Sequence, residues 1–138
     1  MGSDGSALAR FSAIGEHGAV WVAIGLGAAA VDAPRRTAWL RGARRVLAAY
    51  AVNQIVKVVV RRPRPQHHGV RTHSELSFPS AHATTSFCGA RAYSAVEPRL
   101  TPALYGLAVA LAASRIALRV HHPSDVLAGA ALGTVLAR

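Results

Sequence analysis

Three short segments hold polar residues that an apolar chain has little structural reason to keep. In Lys57–Pro65 (KVVVRRPRP), Lys57 and Arg64 stand two helical turns apart and project from one face if the helix persists. Lys57 is the only lysine in the chain and sits among Ile55, Val56 and three valines. Arg61 and Arg62 read more simply as a snorkelling helix end. In Ser77–Ser86 (SFPSAHATTS), Pro79-Ser80 at a helix start would offer free backbone N–H groups and a hydroxyl, a cradle for an anion, with His82 beside it. The plain alternative there is an ordinary N-cap with a part-exposed histidine. In Ser114–Asp125 (SRIALRVHHPSD), Arg115 closes a strongly apolar helix, where an unpaired guanidinium is costly. His121 and Asp125 are four residues apart, so the carboxylate can hold one ring nitrogen and leave the other free as base or nucleophile. Ser124-Asp125 reads equally well as a helix cap, and Arg119 and His122 as a solvated helix end. Taken together, two histidines, a carboxylate, a lysine, two arginines and a helix-start serine suit the binding of a phosphoryl group and its transfer through a phosphohistidine.

The elements that must position these groups are helical. Uncharged stretches at His17–Val31, Val46–Val56, Leu100–Ser114 and Val126–Ala137 are separated by proline- and charge-bearing turns, and no β-type alternation or internal repeat is found. The spacing predicts helices over about 17–31, 37–60, 80–96, 99–119 and 123–138, with residues 1–16 a polar tail or short surface helix. Pro63 and Pro65 stop the second helix, and Arg61–Phe78 becomes a long loop with four arginines and three histidines, a better candidate for function than for mere connection.

The chain has 138 residues, enough for one domain, 1–138, and too few for two separate cores. It is 51% hydrophobic, with a formal charge of +10, and its mean hydropathy is +0.26. A disordered tail would be far poorer in apolar residues. One cysteine, Cys88, excludes an intrachain disulfide and a cysteine-cluster zinc site. The charge points to anionic partners: nucleic acid, an anionic membrane or a phosphorylated substrate. No uncharged run alone reaches the roughly 18–20 apolar residues of a membrane span, but each reaches that length if flanking arginines snorkel. Hydropathy thus leaves a membrane bundle and a soluble one equally open. No secretory signal peptide is visible at the N-terminus, which begins MGSDGS and lacks a basic n-region.

The order and spacing of the three segments resemble the tripartite signature of the type-2 phosphatidic acid phosphatases, or lipid phosphate phosphatases. These share their core with vanadium haloperoxidases and bacterial class A acid phosphatases. Lys57 is followed after six residues by Arg64-Pro65, PSAH stands at Pro79–His82, and Ser114-Arg115, His121 and Asp125 complete the third part. The similarity covers residues 57–125. It implies an all-α membrane helical bundle of about five helices on a haloperoxidase-like core. It also implies a phosphoric ester or anhydride hydrolase that works without metal or other cofactor. By resemblance His121 attacks phosphorus, Asp125 orients it and His82 protonates the leaving group. Lys57, Arg64, Ser80, Arg115 and the backbone of Ala81 hold the phosphate. The spacing selects His121 over His122, because only His121 satisfies both gaps. Ala81 departs from the family's glycine, and strains the cradle only if its φ must be positive.

The resemblance further implies an integral membrane protein, of a bacterial cell membrane on the Ala/Arg bias, acting on a lipid-linked phosphate. The candidates are polyprenyl diphosphate, a prenyl-linked sugar phosphate, phosphatidylglycerol phosphate and phosphatidic acid. Residues His67, His68, Arg71, His73 and Glu75 occupy the loop that meets the headgroup. Arg35 and Arg36 on the opposite side place the active site at the extracytoplasmic face. A bundle this small has an outer face to bury against lipid or against a second copy. Besides a non-catalytic membrane scaffold, which the retained signature residues disfavour, the rivals are a soluble acid phosphatase or haloperoxidase on the same core, and a basic nucleic-acid-binding protein. The latter accounts for the charge but not for the spacing of His82, His121 and Asp125, nor for the scarcity of aromatics; nucleic acid is not expected as a partner.

Overall fold

The computed structural model describes residues 3–65 and 70–138, with the side chains of 3–6 left aside. Six α-helices appear among them: α1 (Ser3–Ala13), α2 (Ala19–Val31), α3 (Arg36–Val60), α4 (Ala81–Val96), α5 (Thr101–Ala117) and α6 (Pro123–Leu136). There is no strand among the described residues, only an isolated bridge between Pro63 and Leu76. The all-α expectation therefore holds, and α2–α6 correspond to the five expected helices within a few residues. Of the two expectations for the N-terminal segment, a polar tail or a short surface helix, it is the helix that is found. It folds into α1, and Ser12 at its end is buried.

The central element is α4, which packs against α3, α5 and α6. Its sequence, AHATTSFCGARAYSAV, is rich in small residues and is buried on almost every side. Small side chains let neighbouring backbones approach closely, which is how helices pack where apolar surroundings supply little other driving force. On α6, a Cβ at Gly133 would collide with the carbonyl of Thr84, and one at Gly129 would lie 2.6 Å from the carbonyl oxygen of Ser80. Gly42 on α3 likewise makes room for the ring of Tyr93. The two threonine hydroxyls of α4 are satisfied locally, Thr84 Oγ1 donating to Ser80 O (2.9 Å) and Thr85 Oγ1 to Ala81 O (3.0 Å). Across the helices, Trp21 Nε1 donates to Ser86 Oγ (2.9 Å) and Tyr93 donates to Trp21 O (2.7 Å), which fixes α2 on α4.

The two ends of the bundle differ. At one end Arg35 donates to Asp32 (2.7 Å), to Glu97 (3.0 Å) and to the carbonyl of Val96 (3.0 Å), tying the α2–α3 turn to the α4–α5 turn. At the other, Arg61 caps α3 in the left-handed region (φ 55°), and the chain folds back on itself. Arg64 N donates to Glu75 O and Ser77 N to Arg62 O there, so residues 61–65 and 74–77 run side by side. This folded loop, the start of α4 and the α5–α6 turn meet at one end of the molecule.

The polarity is distributed inside out. Asn53, Lys57, Thr84, Thr85, Ser114, Arg115, His121 and Asp125 are buried, whereas Leu26, Leu47, Ile55, Val58, Val59, Val109, Leu127 and Val135 are exposed. One helical stretch, Pro98–Ala117, is 20 residues long and apolar enough to cross a membrane, with Arg99 and Arg115 near its two ends. Residues 7–13 and 16–31 form a second such stretch if taken together across a 43° bend.

The close approach of α6 to α4 makes Gly133 sensitive to a single methyl group. Gly133→Ala is expected to destabilise by about 1–3 kcal/mol through overpacking. Gly27→Ala, where an added Cβ meets nothing within 4 Å, is expected to be neutral or stabilising by about 0.4–1 kcal/mol. Thermal unfolding of the two variants in detergent, beside the parent, checks the contrast.

Candidate active site

A pocket of about 510 Å³, counting its open mouth, lies at the loop end of the bundle. Lys57, Arg64, Ala81, His82, Arg115 and His121 line it, with Arg71, Thr72, His73 and Ser74 from the loop at its rim. Six of the eight expected site residues thus face one space, although they come from α3, the loop, α4, α5 and the α5–α6 turn. The other two, Ser80 and Asp125, stand behind that wall. Of the loop residues expected to meet a headgroup, Arg71 and His73 reach the pocket, Glu75 is not among its lining residues, and His67 and His68 lie outside the described residues.

Lys57 is buried on the inner face of α3, and its ammonium donates to Pro79 O (3.0 Å) and Leu76 O (3.3 Å). Those contacts use two of three protons and hold the segment before α4 in place. Asn53, one turn earlier, donates to Pro79 O (3.2 Å) and Thr84 Oγ1 (2.9 Å). Ser80 is the N-cap of α4, its hydroxyl accepting weakly from Ala83 N (3.4 Å), and is wholly buried. Ala81 begins the helix proper and is not among the residues with positive φ, so the alanine sits there without backbone strain.

Arg64 spans the loop and the α5–α6 turn. Its Nε donates to Ser74 O (2.6 Å) and one terminal nitrogen donates to Val120 O (2.8 Å). That nitrogen also lies 3.1 Å from His121 Nε2. A guanidinium can only donate, so Nε2 must accept, and the ring proton resides on Nδ1. The Nδ1 atom is buried, 3.6 Å from Asp125 Oδ2 and short of a hydrogen bond. Burial, followed by the charges of Arg64, Arg115 and Lys57, pushes the His121 pKa down to about 3 against the smaller opposing pull of Asp125. The imidazole is therefore neutral at ordinary pH, with a bare Nε2 turned toward Arg64 and the pocket.

Asp125 is fully buried and collects donors from several directions. Its Oδ1 meets Arg62 at 3.0 Å. Its Oδ2 accepts from the backbone N–H of His122 (2.7 Å) and lies 3.2 Å from His122 Nδ1. Its backbone carbonyl accepts from Ser80 N (2.9 Å), which joins the PSAH turn to the α5–α6 turn. His122 is thus closer to the carboxylate than His121 is, yet it does not line the pocket. Arg62, which the sequence offered only as a snorkelling helix end, is a buried carboxylate's partner. It also donates to Ser124 Oγ (2.6 Å).

Ser12 is the other residue that sequence reasoning passed over. Its hydroxyl accepts from Arg115 (2.8 Å) and lies 2.9 Å from that of Ser114, and its carbonyl lies 2.9 Å from His82 Nε2. A carbonyl only accepts, so His82 carries its proton on Nε2 and leaves Nδ1 without one. No spacing rule links position 12 to positions 82 and 115, and a serine at the end of a polar helix carries no signal of its own. Arg115 Nε remains buried without a protein partner. Two buried cations, Lys57 and Arg115, a half-buried third, Arg64, and two imidazoles surround one pocket, an arrangement whose charge suits an anion.

A family model described as the PAP2 superfamily matches residues 43–138. The chain belongs to that superfamily. It is, like the relatives it matches, a phosphoric ester hydrolase. The decaprenylphosphoryl-5-phosphoribose phosphatase of Mycolicibacterium smegmatis is 40% identical over 122 residues, covering 86% of this chain and 67% of the relative. That of Mycobacterium tuberculosis is 38% identical over 129 residues, covering 91% and 72%. A lipid A 1-phosphatase of Rhizobium johnstonii is 35% identical over 89 residues, covering 57% of this chain and 36% of the relative. Among solved structures, a transmembrane PAP2-type phosphatidylglycerolphosphate phosphatase from Bacillus subtilis superimposes with a TM-score of 0.81. It is 21% identical, and the match covers 99% of this chain and 74% of that one, so it speaks for the fold.

Removing the Arg62 guanidinium leaves Asp125 buried with one fewer counter-charge. Arg62→Ala is expected to lower turnover by about tenfold to a hundredfold, the usual size of an outer-shell effect. Arg61→Ala, at an exposed neighbouring position, is expected to leave turnover unchanged; steady-state phosphate release by the two variants makes the comparison.

Proposed function

We propose that this chain is an integral membrane phosphatase that removes the terminal phosphate from a prenyl-phosphoryl sugar phosphate through a phosphohistidine. The observation that carries this reading is the 3.1 Å contact of Arg64 with His121 Nε2, which leaves that nitrogen bare on the pocket side and the ring proton at Nδ1 beside Asp125. Arg64, Arg115 and Lys57 supply the positive charge that neutralises the non-bridging oxygens of the transferring phosphoryl group. Arg64 would exchange its contact with Nε2 for one with phosphate. That frees the lone pair to attack phosphorus as the P–O bond to the sugar breaks. The N–H of Ala81 at the open start of α4 adds a donor, while Ser80 acts from behind by holding that turn.

His82, resting with its proton on Nε2, takes up a second at Nδ1 together with the incoming phosphate dianion and gives it to the departing sugar oxygen. Neutral again, it takes a proton from the water that attacks the phosphohistidine, releasing inorganic phosphate and restoring His121. Asp125 draws the Nδ1 proton closer than the resting 3.6 Å as positive charge develops on the ring. Its role is to orient and stabilise, not to attack.

Buried charges inside a shell of exposed leucine, isoleucine and valine support a membrane location, since such a surface is unfavourable in water and ordinary against lipid. The arginines of the far end, Arg35 and Arg36, support placing that end in the cytoplasm and the pocket at the opposite face. The names of the mycobacterial relatives favour a prenyl-phosphoryl pentose phosphate over the other lipid candidates.

Phosphate release by detergent-purified protein tests this against a decaprenyl-phosphoryl ribose phosphate, phosphatidylglycerol phosphate, phosphatidic acid, a polyprenyl diphosphate and one soluble ester. Turnover is expected to survive excess chelator and to favour the prenyl sugar phosphate. His121→Ala is expected to lower it by at least about a thousandfold, and His122→Ala by no more than about tenfold. A His122 variant as dead as the His121 variant would sink the assignment of the nucleophile.

The depressed pKa of His121 has its own signature. In the free protein the imidazole stays neutral as pH falls through its ordinary 6.5, and protonates only toward about 3. The acid limb of kcat/KM, corrected for the substrate's own ionisation, is therefore expected to show no break from His121 between about pH 7 and 5. A break near 6.5 that moves with substitution at Arg64 would contradict it.

A further inference from the structure

At the rim of the pocket, Glu16 and His17 of the 3-10 turn Glu16–Gly18 meet His73 of the loop. Glu16 Oε2 lies 3.3 Å from His73 Nε2, and the rings of His17 and His73 are 4.7 Å apart with a 45° tilt. One donor atom from each of the three residues lies within 4.8 Å of the others. Ligands about 2.0–2.1 Å from a tetrahedral zinc ion are about 3.4 Å from one another. The Glu16–His73 pair already has that separation. The remaining pairs need to close by at most about 1.4 Å, within the reach of rotation by exposed imidazoles.

The backbone is arranged to put His17 there. Its φ of 54° lies in the left-handed region, which L side chains rarely adopt, and Gly18 comes next at φ 72°. The turn sets the His17 ring edge-on to Tyr50, 5.6 Å away, and beside His73. A simple surface Glu–His pair requires neither the second imidazole nor the unusual backbone. None of the three side chains has a part in the phosphoryl transfer by His121 and His82.

We propose that Glu16, His17 and His73 form a site for one divalent first-row transition ion, with zinc the best fit to two imidazoles and a carboxylate and the fourth position open to water. The ion would clasp the Arg71–Ser74 segment, one wall of the pocket's mouth, to the turn after α1. It lies outside the phosphoryl-transfer machinery, so a chelator would empty it without stopping turnover.

Tag-free, metal-stripped protein in detergent, titrated calorimetrically with Zn²⁺ and followed with Co²⁺ by its visible absorption, tests the site. One equivalent is expected to bind, with affinity reduced at least about tenfold in His17→Ala and in His73→Ala. Glu16→Gln, a near-isosteric change, is expected to show the same loss and serves if a histidine variant does not fold. The double variant His67→Ala/His68→Ala is expected to bind as the parent does. No saturable uptake by folded protein, or uptake that depends on His67 and His68 and not on His17 and His73, would overturn the proposal. The readout is metal uptake and not turnover, so its failure is separate from failure of the phosphatase reading.

Discussion

A fully buried carboxylate is tolerable only if nearby donors replace the water it has lost, and Asp125 sets this requirement for the whole end of the bundle. Arg62 reaches it from the loop, the backbone and ring of His122 from the α5–α6 turn, and His121 stands next in line. Its own carbonyl holds the N–H of Ser80 at the start of α4. Through its side chain and its carbonyl together, this one residue ties the three segments that carry the signature. The ring of His121, the PSAH turn and the basic loop are registered against each other through the same residue.

Around that point the bundle separates two tasks. Close packing is done by small residues, with Gly129 and Gly133 of α6 laid on the backbone of α4. Buried charge gathers at one end, where Lys57, Arg64 and Arg115 share a pocket whose lining includes one carboxylate among the described residues, Glu16 at its rim. Mutual repulsion of these cations is unfavourable in the empty protein. A dianion placed among them would relieve it, so the arrangement that costs stability is also one suited to an anionic ligand. The neutrality of His121 has the same origin, since burial and the surrounding cations oppose its protonation.

The N-terminal segment completes the site from outside the family's signature. Ser12 holds Arg115 and His82 in one grip, with its hydroxyl on the guanidinium and its carbonyl on the ring. Without it the guanidinium would lie buried at the end of α5 with fewer partners, and His82 would be free to choose its tautomer. Gly15, three residues on, leaves room for the His82 ring, which a Cβ would approach to 2.9 Å. The adjoining turn then brings Glu16 and His17 over the mouth.

Helices were legible in the sequence because proline, glycine and charge interrupt long apolar runs, and helix geometry is local. The signature residues were legible because chemistry demands particular side chains at particular spacings along a helix or turn. Lys57 among valines and Arg115 in an apolar helix stood out for the same reason, as buried charge is rare without a purpose. What tertiary structure alone decided was the pairing of groups remote in sequence. Arg62 looked like a helix end until Asp125 was found beside it, Ser12 looked like part of a polar tail, and Ser80 proved to be a cap behind the pocket instead of a wall of it. Such contacts depend on how helices pack in three dimensions, where a hydrogen bond is indifferent to the number of residues between its partners. Spacing along the chain can announce a reacting histidine, but only packing can say which neighbours hold its proton.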